Sequence, residues 1–352
     1  MPQLSSAAFA RRLTALSRYC ASVLTRPVRF FGGLSMAVLA LVLVFGSHAQ
    51  AQSTWNATTG NWNTASQWSP ASVPASDSAT ALIFGGATNY TSTNNLGNFT
   101  LNQLLFTNTA STATVTGTTG NGLNFVRSAR DLALPTLTHT GAGNATLSAP
   151  VMWDADTTVT NSGSGTLLLS GTQTYLNGTR QTFTNSGTGT LTIADGIAYA
   201  NSAAGTGGLV LNLINNNTAA GTFNIGDMGA LENVTFNIGG TGTVRYNGSS
   251  AGDLFSGSML LNVQAGATFD FNGNAETMGS IAGAGTIVLS AGMTLDPTLG
   301  GYHVFSGKLT GSGGAFMVSD VSESLILSGS TSDYTTATSV VAGRLIVAAN
   351  AP

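Results

Sequence analysis

The chain is 352 residues long, 42% hydrophobic and only 7% charged, with 45 glycines and a single cysteine. Five of its eleven basic residues, Arg11, Arg12, Arg18, Arg26 and Arg29, lie near the start; beyond Gln52 six bases face fourteen acids, a balance that argues against nucleic acid as a partner. The one thiol, Cys20, also lies in that first segment, so the rest of the chain has none for a disulfide, a metal or nucleophilic chemistry.

Met1 to Gln52 has no acidic residue, an apolar run from Leu34 to Phe45, and then Ala49-Gln50-Ala51. A basic start, an apolar middle and small residues at A-x-A spacing mark a secretory signal peptide, and cleavage is expected after Ala51. An uncleaved anchor fits less well, because a bilayer span needs about 20 apolar residues. The expected organisation is a signal peptide over 1–51, a Trp-rich cap with the first coils over 52–110, and a repeat region over 111–352.

Ser53 to Pro74, "STWNATTGNWNTASQWSPASVP", contains Trp55, Trp62 and Trp68. Exposed indoles stack on sugars, which makes one reading a carbohydrate platform; the other is a cap, since the first coil of a repeat array has no predecessor to cover it. Ala79–Gly86, Asn98–Asn108 and Thr112–Gly117 then read as strands. Between Asn121 and Asp156 the regularity weakens, and "VRSARD" (Val126 to Asp131) and "WDAD" (Trp153 to Asp156) hold most of the local charge. Asp154 and Asp156 are a candidate pair for Ca²⁺ or acid chemistry, but an isolated Asp-x-Asp beside a strand is more often a solvated turn, and calcium wants more oxygen ligands.

The strongest signal follows. "TVTNSGSGTLLL" (Thr158 to Leu169) returns as "TFTNSGTGTLTI" (Thr182 to Ile193) with eight of twelve positions identical and an offset of 24 residues. Two β-prone runs around a Gly/Asn/Ser turn, recurring at that interval, describe one coil of a solenoid. The Gly-x-Gly-Thr turn comes back at Gly240 and Gly283. After each of these turns the residues read Leu167/Leu168/Leu169, Leu191/Thr192/Ile193, Val244/Arg245/Tyr246 and Ile287/Val288/Leu289. The outer members are always apolar and the middle one varies, so the first and third should face a core. "TFNIG" at Thr222 to Gly226 is repeated at Thr235 to Gly239, with "TFDFNG" (Thr268 to Gly273) as a relative.

No window sustains a helical period, and short strands between frequent turns argue an all-β chain. Low charge with abundant Thr and Asn suits stacked strands, in which hydroxyl and amide side chains ladder; regular apolar alternation argues against disorder. His139 and His303 stand alone, without metal-site spacing, and Ser is abundant without a positioned base.

"LILSGSTSDYTTATSVVAGRLIV", within Ser324 to Asn350, and "LLLSGTQTYLNGT" (Leu167 to Thr179) resemble the autotransporter-associated β-strand repeat. The matching positions are Leu325, Leu327, Ser328, Gly329, Tyr334, Val340, Ala342, Gly343, Leu345 and Val347, with Thr336 in place of the glycine usual after Tyr-Thr. "TFDFNGNAETMGSIAGAGTIVLSAG" (Thr268 to Gly292) is similar to the inter-repeat sequence of such proteins. The resemblance implies a right-handed parallel β-helix (β-solenoid) passenger exported to the surface of a Gram-negative-type bacterium, without enzymatic activity, cofactor or metal. Surface polysaccharide or a host or cell-surface ligand would be its partner. Such passengers end in a translocating β-barrel, a pattern not met before Pro352; release, retention by a partner or truncation is the expectation, as is self-association at the C-terminal coil. The competing function is a carbohydrate-binding or polysaccharide-cleaving β-helix, which would need clustered acids or an Arg/Lys base on one face.

Overall fold

Short runs in which apolar and polar residues alternate form strands with one face in and one face out, and here the inward faces close on one another. The computed structural model describes residues 51–176, 178–194, 208–219, 221–227, 233–248, 259–289, 292–295, 300–312, 315–335 and 337–348. The chain divides into two compact units, Met1–Ala49 and Gln50–Pro352, and the described residues belong to the second. They form a parallel β-solenoid: sheet A of fourteen strands, sheet B of eleven, and two four-stranded sheets, C and D. The helical content described is one 3₁₀ turn, Ala65–Gln67, so no described helix is long and apolar enough to cross a membrane.

One coil shows the plan. Thr157–Asn161 lies in sheet A, Leu167–Leu169 in sheet B and Gln173–Tyr175 in sheet C, after which Arg180–Asn185 returns to sheet A one layer on. In that step Thr158 pairs with Thr182, Asn161 with Asn185 and Leu167 with Leu191, so the 24-residue repeat is one coil in strict register. The same register extends back to strand Thr136–His139, where Leu137 pairs with Val159 and His139 with Asn161. "TLTHTGAGNATL" (Thr136 to Leu147) is thus a third copy inside the region whose regularity appears weak. Its step to the next coil is 22 residues and a histidine replaces the asparagine.

The glycines of Gly-x-Gly-Thr explain the corner between sheets A and B. A Cβ on Gly163 or Gly165 would collide with the carbonyl oxygen of Gly141 or Gly143 in the coil below, and the same holds for Gly187 and Gly189 against Gly163 and Gly165. Close backbone approach, met by Ser162 N–H donating to His139 O at 2.9 Å and Ser186 N–H to Asn161 O at 2.9 Å, excludes any side chain there. Gly240-Thr-Gly242-Thr243 and Gly283-Ala-Gly285-Thr286 make the same corner in later coils.

Two local likenesses do not mark coils. Thr222–Gly226 supplies the sheet B strand Phe223–Ile225, whereas Thr235–Gly239 lies in the sheet A strand Val234–Gly240. Likewise the two L-x-L-S-G runs occupy different sheets: Leu167–Leu169 is in sheet B and Glu323–Leu327 in sheet A.

The core is the space enclosed by the sheets. After each Gly-x-Gly-Thr turn the first and third residues are buried and the middle one is half-buried, including Leu191/Thr192/Ile193 and Ile287/Val288/Leu289. Stacked rings line it: Phe125 and Trp153 lie 4.8 Å apart with planes at 26°, and Tyr175 continues the column. Because Ile287 is fully enclosed and Thr192 faces outward, Ile287→Asp is expected to destabilise the protein by about 3 kcal/mol or more through an unpaired buried carboxylate. Thr192→Asp is expected to be nearly neutral. Chemical denaturation of the two variants checks the assignment, and equal midpoints would reverse it.

Candidate functional site

The three early tryptophans are 2%, 0% and 1% exposed for Trp55, Trp62 and Trp68. The two-residue strand Trp68–Ser69 pairs antiparallel with Ala51–Trp55 at the outer edge of sheet A, setting Trp55 opposite Trp68. Trp55 and Trp68 meet edge-on at 4.8 Å, Trp62 and Trp68 at 5.6 Å, and Trp62 meets Phe99 at 5.1 Å. Each indole N–H is used internally: Trp55 donates to Thr58 O, Trp62 to Ser92 Oγ and Trp68 to Trp62 O. A sugar platform needs an exposed ring face, and none of the three offers one.

His139 starts a buried polar ladder under sheet A. Its Nδ1 lies 2.8 Å from Asn161 Oδ1, Asn161 Nδ2 donates to Asn185 Oδ1 at 3.2 Å, and Asn185 Nδ2 donates to Asn215 Oδ1 at 3.3 Å. The amides also satisfy corner carbonyls, Asn161 those of Gly165 and Thr190 and Asn185 those of Gly189 and Thr222. All four residues are fully buried. A buried amide is tolerable only when paired, and this arrangement pairs it while bracing the turn. His139 Nε2 faces Gly143 O at 2.9 Å, so a neutral ring has one N–H for two acceptor oxygens. Burial nonetheless holds its pKa below the usual 6.5, outweighing the Asn161 and Gly143 contacts.

His303, isolated in sequence, meets Glu323 across the coil step. Its Nδ1 lies 3.1 and 3.3 Å from the two carboxylate oxygens of Glu323, whose side chain is fully buried, and Ser280 Oγ donates to the same carboxylate at 2.6 Å. Serine, histidine and an acid are together, but the hydroxyl is bonded to the carboxylate and not to the imidazole. A nucleophilic serine needs the imidazole as its proton acceptor, whereas here Ser280 and His303 both turn to the buried carboxyl group of Glu323. A second acidic environment surrounds Tyr246, whose hydroxyl donates to Asp227; burial first, and then Asp227 and Glu276, push the phenol's pKa above its ordinary value. Nothing in sequence joins those three residues, since they come from successive coils.

Asp154 and Asp156 flank a surface groove of about 340 Å³ that also takes in Arg127, Leu134, Ala155 and Thr179. The "VRSARD" and "WDAD" stretches are thereby brought together. Both carboxylates are exposed, and Asp156 Oδ1 accepts the backbone N–H of Arg180 at 2.8 Å from the next coil, the action of a turn cap. Among the described residues no third His, Cys, Asp or Glu joins them in a group able to hold a metal ion.

Comparisons with protein-family models, with curated proteins and with solved structures found no match for this chain.

Two outcomes are expected. Trp62→Ala should lower stability by about 3–5 kcal/mol through the cavity it opens, read as a fall in melting temperature; an unchanged melt with loss of polysaccharide binding would restore the platform reading. As pH falls below the ordinary histidine value, unfolded His139 takes up a proton that the folded ring refuses, so stability is lost with acidification. His139→Asn removes that contribution: its denaturation free energy should depend less steeply on pH between about 7 and about 5 than the parent's, by at most about 1.4 kcal/mol per pH unit. Parallel slopes would mean the folded ring titrates normally.

Proposed function

We infer that the chain beyond its leader is an exported, non-enzymatic β-solenoid of the autotransporter-passenger type, a structural or adhesive element at the outer surface of a Gram-negative-type cell. The observation that carries this reading is the regular coil stack, whose ionisable interior groups serve packing: His139 sits in the amide ladder, and Ser280 and His303 both bond Glu323. The leader supports export, with its arginines, apolar run and Ala49-Gln50-Ala51. An exported chain without cysteine beyond Cys20 must draw stability from elsewhere than disulfides, and the coil-to-coil ladders supply it. The carbohydrate-binding or polysaccharide-cleaving alternative would draw on the groove of Arg127, Asp154 and Asp156, where guanidinium and carboxylates share one surface.

Expression in a Gram-negative host, followed by protease shaving of intact cells and N-terminal sequencing of the exported protein, tests the proposal. The expected product is accessible to external protease and begins near Gln52. Material that keeps Leu34 to Phe45, or that stays protected inside the cell, would overturn it. Release of reducing ends or unsaturated sugars from a polysaccharide, abolished by Asp154→Asn, would establish the alternative.

A further inference from the structure

Strands Thr136–His139, Thr157–Asn161 and Arg180–Asn185 are consecutive in sheet A. Their outward positions stack as Thr136, Thr158 and Thr182 in one column and Thr138, Thr160 and Thr184 in the next. A third column follows just past the strand ends, at the corner, in Thr140, Ser162 and Ser186, whose backbone N–H groups bond the coil before at Phe106 O, His139 O and Asn161 O; the hydroxyls of Thr140 and Ser162 also donate to Phe106 O and His139 O at 3.4 and 3.3 Å. Nine hydroxyl side chains thus make a three-by-three grid with no charged or aromatic member. The intervening residues point inward, Leu137, Val159 and Phe183 in one row and His139, Asn161 and Asn185 in the other, all buried. Strand pairing sets the repeat between rows at about 4.8 Å, and two residue rises set the repeat between columns at about 6.7 Å.

The ladder behind the grid bears on its shape. Parallel strands ordinarily twist, which would fan the hydroxyls apart, and flat stacks are those held by side-chain ladders. The amide ladder from His139 to Asn215 runs beneath these same coils. Apolar residues would fill that row without needing partners, so the ladder is best understood as fixing the register of these coils. On the outer side the first column continues as Asn212, Asn237 and Asn262, with Asn212 donating to Thr182 Oγ1 at 3.0 Å and each later amide donating to the one before. The charged pair Asp156 and Arg180 marks one border of the grid, each one residue beyond the buried pair Thr157 and Gln181.

We propose that this grid is an ice-binding surface. Hydroxyls and threonine methyls repeated in two directions hold first-layer water at fixed sites, and the two repeats lie near the oxygen repeats of the prism faces of hexagonal ice. Charges would orient water around themselves and break such a layer, and none stands within the grid. A crystalline polysaccharide fits less well, because sugars stack on exposed aromatic rings and all four tryptophans, Trp153 included, are buried. Meeting environmental ice requires the exported location inferred above, but the surface chemistry is testable on purified protein whatever the fate of that inference.

The test is inhibition of ice recrystallisation, with thermal hysteresis as a second readout, on the purified protein and on variants produced in the same way. The wild type is expected to arrest crystal growth at micromolar concentration. Thr160→Tyr, at the centre of the grid, should weaken this about tenfold or more, equivalent to about 1.4 kcal/mol; Thr192→Tyr, outward on sheet B, should leave it unchanged. Melting temperatures show whether each variant is folded, and Thr138→Tyr replaces Thr160→Tyr if the latter unfolds. A wild type no better than albumin, or a folded grid variant as active as wild type, would overturn the proposal. So would depletion by cellulose or chitin that depends on Thr160 without any effect on ice.

Discussion

Hydrogen bonds between the backbones of successive coils carry this structure, and they tolerate nothing between them. At the corner from sheet A to sheet B the carbonyl of Gly141 or Gly143 approaches the next coil where a Cβ would stand, which is why Gly163 and Gly165, and then Gly187 and Gly189, lack one. Turn carbonyls that point inward at these corners would be orphaned in an apolar core, each at a cost of about 1–3 kcal/mol. Asn161, Asn185 and Asn215 meet them, and in doing so join one coil to the next. The unusual composition of the chain, poor in charge and rich in Gly, Asn and Thr, is what this construction demands.

The same demand governs the start of the stack. A parallel sheet begins with a strand whose outer backbone groups have no partner, an open invitation to association. Here the short antiparallel strand Trp68–Ser69 pairs with Thr54 and Trp55, and three indoles pack together against Phe84 and Phe99. Their indole N–H groups are all satisfied, by Thr58 O, Ser92 Oγ and Trp62 O, so the rings can be buried at no polar penalty.

Chemically versatile groups have been absorbed by the same architecture. His303 and Ser280 compensate the buried carboxylate of Glu323, His139 caps the amide ladder, and Tyr246 is held by Asp227. Asp154, Asp156 and Arg127 differ in lying at the surface, around one groove. On sheet A the outward positions of Thr136–His139, Thr157–Asn161 and Arg180–Asn185 are hydroxyl residues, and Asn212, Asn237 and Asn262 continue one of their columns.

Strands, corners and coil length were legible in the chain itself, because alternation of apolar and polar residues reports which face is buried and an offset of 24 residues with eight identities reports the coil directly. The resemblance carried by Leu325 to Val347 pointed to the same architecture. The third copy, Thr136 to Leu147, was obscured by a step of 22 residues and by His139 standing where the other copies have asparagine; only the paired strands place the ring and the amides in one ladder. "TFNIG" misled in the opposite sense, since identical pentapeptides fill strands of two different sheets. Which way Trp62 faces, that Glu323 receives both Ser280 and His303, and that the hydroxyls of three coils stack in columns were decided by tertiary structure alone. The reason is physical: the sequence of a solenoid specifies how each strand turns its faces, whereas partners one coil away are chosen by the stacking register, which depends on the length of every intervening corner.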